Sequence, residues 1–244
     1  NDDWSTYMST TVSRVESFGR YAPVPGFVTI DANSPNNPTA GTANPVDVYL
    51  YHRFSAAGNR DNTTDANVYD LNFGFQGTIG QVDVDFGLRQ TEYKYLELGR
   101  NYIVGALAEQ YINDGRYNIF NPSGNDPDIL NAIKATINRE SSWLTQEAYA
   151  LANFDLFELA GGTSGMAVGA EFREETYSDQ YDSLSEAGVI LGSAGNSAAG
   201  GRDVTSLYAE WLLPVMENLE VSFAARYEDY SDYGTDLAPK VAIR

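Results

Sequence analysis

Carboxylates are the most abundant reactive groups in this 244-residue chain, and hydrolysis of a glycosidic bond needs only two of them, one acting as a general acid. Glu171, Glu174, Glu175 and Glu210 are the candidates by position. Acidic residues alternating with apolar ones are the ordinary composition of a solvated strand face, so we expect no enzyme here. The run Gly162-Thr163-Ser164-Gly165-Met166 approaches the serine elbow but places Met166 where that turn needs its second glycine. His52 is the only histidine, so any Ser-His-Asp arrangement or His-rich metal site would have to use it. It shares parity with Val48 and Leu50 near a strand end, which points to a structural or interface role. Asp126 with Asp128, and Asp179 with Asp182, could attract calcium but lack the EF-hand spacing. No P-loop occurs, and with no cysteine there is no zinc-thiolate site, disulfide or thiol nucleophile. We therefore expect neither a cofactor nor a metal.

Ligand contact is the remaining chemistry. Tyr95, Tyr102, Tyr111, Tyr117 and Phe120 fall in the longest expected loop, where aromatic rings beside polar groups can stack on sugars or chelate rings. The alternative is that these rings pack the loop against its own helix.

With 34 acidic and 15 basic side chains, the formal charge of -19 opposes binding to a phosphate backbone, so nucleic acid is not an expected partner. A 43% hydrophobic content is too high for disorder, yet no run approaches the roughly 18 apolar residues of a membrane helix. No targeting signal is visible at Asn1-Asp2-Asp3-Trp4. Without an initiating Met, and with Arg244 falling inside an expected strand, the chain reads as an internal piece of a longer polypeptide.

The elements that would position these residues are strands. Period-two alternation of apolar and polar side chains runs through 46–54, 68–78, 82–93, 144–157, 166–177, 204–213 and 219–230, and an eighth strand begins near Lys240. Asp3 to Val12 is a further possible strand, and 21–45, with five prolines, reads as an irregular surface loop. Residues 1–45 are thus mostly loop by this reading. The connections at 77–80, 158–165 and 214–218 are short, whereas 55–67, 94–143, 178–203 and 231–239 are long, and all the long ones fall on one end. Within 94–143, Asp126 can cap and Pro127 can open a helix of about three turns over 127–139, with Ile129, Leu130, Ile133 and Ile137 on one face.

Strands of about 9 to 13 residues with one-sided long loops suit a tilted β-barrel crossing better than a soluble sheet. The fold expected is all-β, an antiparallel transmembrane barrel segment in which the apolar faces meet lipid and the charged faces meet the lumen. Asp85 with Arg89 and Glu171 with Arg173 suggest ionic ladders on the inner wall, and Tyr69, Trp211, Tyr227 and Tyr230 suggest interface girdles. A soluble β-sandwich that binds or hydrolyses carbohydrate alternates in the same way and is the competing reading. In it, Leu71, Phe73, Phe75, Val84, Phe86, Val221 and Phe223 would line a protein core. A passive porin is a third.

One family resemblance rests on several linked runs. Residues 218–234, from Asn218-Leu219-Glu220-Val221 through Arg226-Tyr227-Glu228-Asp229-Tyr230, continue into Ala238-Pro239-Lys240-Val241-Ala242-Ile243-Arg244. Upstream come Gly201-Arg202-Asp203-Val204 leading into Tyr208-Ala209-Glu210, then Ala167 to Arg173, and Gly115-Arg116-Tyr117-Asn118-Ile119-Phe120-Asn121-Pro122. Together they resemble the barrel domain of TonB-dependent outer-membrane receptors, strongly from about Pro45 onward and weakly before it. The resemblance implies that 1–244 is part of a single barrel domain, about eight strands of a wall of about 22. It further implies an N-terminal plug absent from this sequence, and a location in the outer membrane of a Gram-negative bacterium. The function implied is uptake of a scarce siderophore, cobalamin or oligosaccharide, energised by an inner-membrane TonB complex acting through that plug.

Overall fold

The computed structural model describes residues 4–244. Eight long or moderate strands form one antiparallel sheet: β1 (Trp4–Tyr21), β4 (Arg60–Ile79), β5 (Val82–Val104), β6 (Lys134–Leu159), β7 (Gly162–Tyr181), β9 (Ala198–Met216), β10 (Leu219–Tyr230) and β11 (Gly234–Ile243). They lie side by side in that order, with the short β8 (Ile190–Leu191) adding to the end of β5. The sheet is open, with β1 and β11 as its edges. A separate hairpin pairs β2 (Pro25–Ile30) with β3 (Val48–Arg53).

At one end β4–β5, β6–β7 and β9–β10 are joined by two-residue turns, 80–81, 160–161 and 217–218. Gly80 takes φ +68°, a left-handed conformation that glycine adopts without a Cβ clash. At the other end lie the longer connections 105–133 and 182–197, and the whole segment 22–59 between β1 and β4.

Alternation sorts each strand into two faces. On the outer face, one register row runs Met8, Phe73, Leu88, Ala148, Phe172 across five strands, and another runs Trp211, Phe223, Val241. Met8, Phe73, Leu88, Phe172, Phe223 and Val241 are all exposed. Toward the long-loop end this apolar band is interrupted on β5, β6, β7 and β9 by the row Gln90, Gln146, Glu174, Asp203, where the two amides hydrogen-bond at 2.9 Å. Tyr69, Trp211 and Tyr227 sit on this face, as expected of girdle residues. Tyr230 does not: it has the parity of Arg226 and Glu228, and its hydroxyl donates to Glu228 Oε2 at 2.6 Å.

The inner face is polar. Tyr7 donates to Asp85 at 2.7 Å and also meets the Tyr149 hydroxyl, which bonds Asn72 Oδ1 at 3.1 Å. These rings lie over glycines: a Cβ on Gly87 would come within 2.7 Å of the Tyr149 hydroxyl, so the smallest residue makes room for the largest hydroxylated one. Ionic ladders run across the inner wall as expected. Arg89 pairs with Asp70 at 2.9 Å while Asp85 serves Tyr7, and Arg226 bridges Glu171 (2.5 Å) and Glu228 (3.0 Å) while Arg173 pairs with Glu175 (2.7 Å). Arg89–Asp70 and Arg202–Glu175 join neighbouring strands, the cross-strand ladder that charges of both signs on one face lead one to expect, while Arg173–Glu175 and Arg226–Glu228 lie two residues apart on one strand.

Several expected boundaries move. Strands run past the apolar band, so β4 starts at Arg60, β5 reaches Val104 and β6 begins at Lys134, and the long connections shrink accordingly. The expected strand at Asp3 to Val12 continues to Tyr21, with Asp3 itself outside the described residues. Residues 1–45 are therefore not mostly loop, since β1 and β2 occupy much of them. The alternation at 46–54 belongs to β3, which joins the hairpin and not the main sheet. It faces a small hydrophobic core on one side only, which produces the same period.

Candidate functional site

Segment 22–59, the 105–133 connection and β8 fold together into a cap at the long-loop end. Its core is made of Val24, Val28, Ile30, Phe54, Ala57, Ile103, Ala108, Ile112, Tyr117 and Ile133. Helix α1 (Gly105–Asn113) was not anticipated. It contributes Ala108 and Ile112 to the core, with Leu107 and Tyr111 packed at its margin, the i, i+3, i+4 pattern of an amphipathic helix. It docks on β2 through Thr29 N–H donating to Glu109 at 2.9 Å and Asn113 donating to the Thr29 carbonyl at 3.0 Å.

The irregular stretch between β2 and β3 is held by two buried asparagines. Asn36 donates to the carbonyls of Ile112 (2.6 Å) and Tyr117 (2.8 Å) and accepts from Ile119 N–H (3.1 Å). Asn37 donates to the Ile30, Asp31 and Val46 carbonyls and accepts from Thr39. Backbone groups that no sheet pairs are thereby satisfied inside the cap.

Helix α2 (Pro127–Ala132) opens as expected, with Asp126 accepting from Asp128 N–H at 2.8 Å and Pro127 in the first turn. It ends well before Arg139. The Ile133 carbonyl accepts from Val104 N–H, and from Lys134 the chain is strand, with the β-branched Ile137 opposite Gly99. Helix α3 (Ser183–Glu186) is capped by Asp182, which accepts from Leu184 and Ser185 N–H, both at 3.0 Å. Burial raises the Asp182 pKa, but the hydrogen bonds from Ser185, Asn138 and Leu184 outweigh it and hold the carboxyl below the usual range. Asp179 is engaged by Arg139 at 2.7 Å and Ser141 at 2.6 Å. Of the acids considered for calcium, Asp126, Asp179 and Asp182 are thus occupied in capping or ion pairing.

His52 has the structural place its parity suggested. Its Nε2 shares a 2.8 Å hydrogen bond with the Tyr117 hydroxyl, and its ring stands edge-on to Phe54. Burial lowers its pKa and pushes the Tyr117 phenol up to about 12.

The five aromatics expected to contact ligand are spread over three environments. Tyr117 is fully buried, and Tyr102 nearly so, its hydroxyl on Asn62 at 3.2 Å. Tyr111 packs against the cap core beneath the Arg116 guanidinium, 3.5 Å from its ring centre. Phe120 is 69% exposed on the cap. Tyr95 lies on β5, facing inward, with its hydroxyl on Glu97 at 3.0 Å. Tyr111 and Tyr117 pack within the cap, whereas Tyr102 lies against Arg60 and Asn62 of β4.

Tyr95 does line a groove, together with residues that the loop boundaries concealed. Tyr93, Trp143 and Tyr177 occupy one register row on the inner faces of β5, β6 and β7, and with Tyr95, Arg139 and Ser141 they border a space of about 280 Å³. The Trp143 and Tyr177 rings meet edge-on at 6.0 Å. The signal was available in the sequence: period two continues from Tyr93 to Tyr95 and Glu97, and back from Thr145 through Trp143 to Ser141.

A family model described as TonB dependent receptor-like, beta-barrel, matches residues 4–244. No curated protein matches the chain.

Proposed function

Since the chain belongs to the TonB-dependent receptor-like β-barrel family, a family of outer-membrane transporters and not of enzymes, we propose that it forms part of the wall through which a scarce small molecule is drawn into a Gram-negative cell. The ligand is of the siderophore, cobalamin or oligosaccharide class. The wall meets outer-membrane lipid on one side and a plug of the same polypeptide on the other, and an inner-membrane TonB complex supplies the energy through that plug.

The two-faced sheet carries this reading. Its apolar band is exposed, and across β5, β6, β7 and β9 it meets a row of amides and acids, as a surface does when it passes from hydrocarbon to water. A β-sandwich would cover that band with a second sheet. Among the described residues the other sheet is the β2–β3 hairpin, whose inward side chains belong to the cap core. Polar and ionic ladders on the opposite face suit a hydrated lumen filled by a plug.

The test uses the full-length receptor in its native cell. Outer-membrane fractionation, gel mobility that changes on boiling, and ligand uptake that stops when the TonB complex is deleted are the expected results. A soluble protein with mobility indifferent to boiling would overturn the barrel. Uptake indifferent to TonB deletion would leave a passive pore.

A further inference from the structure

We propose that the Tyr93–Trp143–Tyr177 row is a stacking platform for an uncharged saccharide, a proposal that rests on the transport reading and names its ligand class. Hydrogen-bonded strands lie about 4.8 Å apart, so three adjacent rings span about 10 Å, enough for more than one sugar ring. Tyr93, Trp143 and Tyr177 are 39%, 45% and 40% exposed, leaving ring surface available. Beyond Tyr177 the row continues to Gly200, where a Cβ would meet nothing within 4 Å, so space remains open past the last ring.

Both flanking rows are polar. On the short-turn side the register runs Thr91, Thr145, Glu175, Arg202, and on the other it runs Tyr95, Ser141, Asp179. An apolar ring surface bordered by hydroxyls and carboxylates fits a sugar, whose C–H faces stack while its edges hydrogen-bond. The row also lies three residues beyond the Gln90–Gln146–Glu174 level where the outer apolar band is interrupted on these strands, on the side of the long connections.

Charge separates this class from anionic chelates. Each arginine on the inner faces of β5, β6, β7, β9 and β10 is already committed: Arg89 to Asp70, Arg139 to Asp179, Arg173 and Arg202 to Glu175, and Arg226 to Glu171. At this row the nearby guanidiniums are those of Arg139, Arg173 and Arg202, so a carboxylate or catecholate ligand seated on these rings would have to break one of their pairs in a chain whose formal charge is -19. An uncharged saccharide breaks none.

The experiment titrates purified full-length receptor calorimetrically with malto-, cello- and xylohexaose, with an oligogalacturonate as the charged counterpart and with ferric hydroxamate and ferric catecholate complexes. Trp143→Ala, Trp143→Phe and Tyr177→Ala are compared, each checked for heat-modifiable mobility. The proposal expects a neutral hexaose to bind in preference to the oligogalacturonate, Trp143→Ala to weaken it by about tenfold, the upper end for one stacked ring, and Trp143→Phe to restore most of the loss. Saccharide binding unchanged in both alanine variants would overturn it, as would tighter oligogalacturonate binding, ferric-complex binding without saccharide binding, or no saccharide binding at all. TonB-dependent uptake surviving any of these outcomes would show that only the ligand class had failed.

Discussion

The sheet and the cap use the same apolar residue types in opposite ways. On the sheet, Phe73, Phe86 and Phe223 stand exposed on the outer face, and their stabilisation depends on a surrounding hydrocarbon. In the cap, Phe54 and Ile112 are fully buried against neighbours from the same chain, and their stabilisation comes from packing. Polar groups differ in parallel. The sheet pairs its backbone in ladders and spends its side chains on inner-face ion pairs, whereas the cap needs buried Asn36 and Asn37 to satisfy an irregular backbone. One region is thus built for two solvents, and the other carries a small core of its own.

Four measurements press on that contrast. The largest effect is expected from Phe54→Ala, which empties the cap core and should cost about 3–5 kcal/mol of local stability. Hydrogen exchange should rise across α1 while heat-modifiable mobility persists; loss of both together would make cap and sheet one cooperative unit. Phe223→Arg should reverse the pattern, costing about 2–4 kcal/mol of barrel stability if the residue lies near the bilayer midplane, as read by urea titration in lipid. A cost near zero would mean that this face does not meet hydrocarbon. Asn36→Ala should cost the cap about 1–3 kcal/mol, because the Tyr117 carbonyl loses its side-chain donor and Ile119 N–H its acceptor. Unchanged exchange at Ile119 N–H would refute that role.

The smallest effect is pH-dependent. Burial keeps the folded His52 pKa below its ordinary 6.5, so the unfolded cap takes up the proton first. Cap stability should be full above about pH 7 and decline as pH falls below about 6.5, before the carboxylates titrate. His52→Asn should flatten that decline, and an identical pH profile in this variant would assign it to other groups.

Alternation made the sheet legible because its two faces meet different media. Val82, Val84, Phe86 and Leu88 against Asp83, Asp85 and Arg89 could be read directly. It fails above Tyr93 and before Leu144, where Leu96 and Leu98 share the outer face with Lys94 and Ser142 while Tyr93, Tyr95 and Trp143 line the inner one, so that neither face is plainly polar or apolar and the upper parts of β5 and β6 read as loop. The same boundary concealed the Tyr93–Trp143–Tyr177 row, since two of its members sat at the ends of the expected strands and none was placed beside another. Register between strands is not written in any single strand. The cap was less legible still. The amphipathic face of α1 is short and begins without a side-chain cap, and the donors on Asn36 and Asn37 find carbonyls distant in sequence.

The two-residue turns also set which changes the molecule can absorb as it diverges. Each one locks the pairing of its two strands from the short-turn end, so residues gained or lost in segment 22–59 or 105–133 leave the ladders in step. A single residue added to a strand next to Gly80–Gln81 would instead shift its partner by one, turning Phe73 and Phe75 inward and Asp70 and Asn72 toward lipid. Length variation among relatives should therefore collect in the cap and spare the turns, leaving a constant wall beneath a variable outer surface.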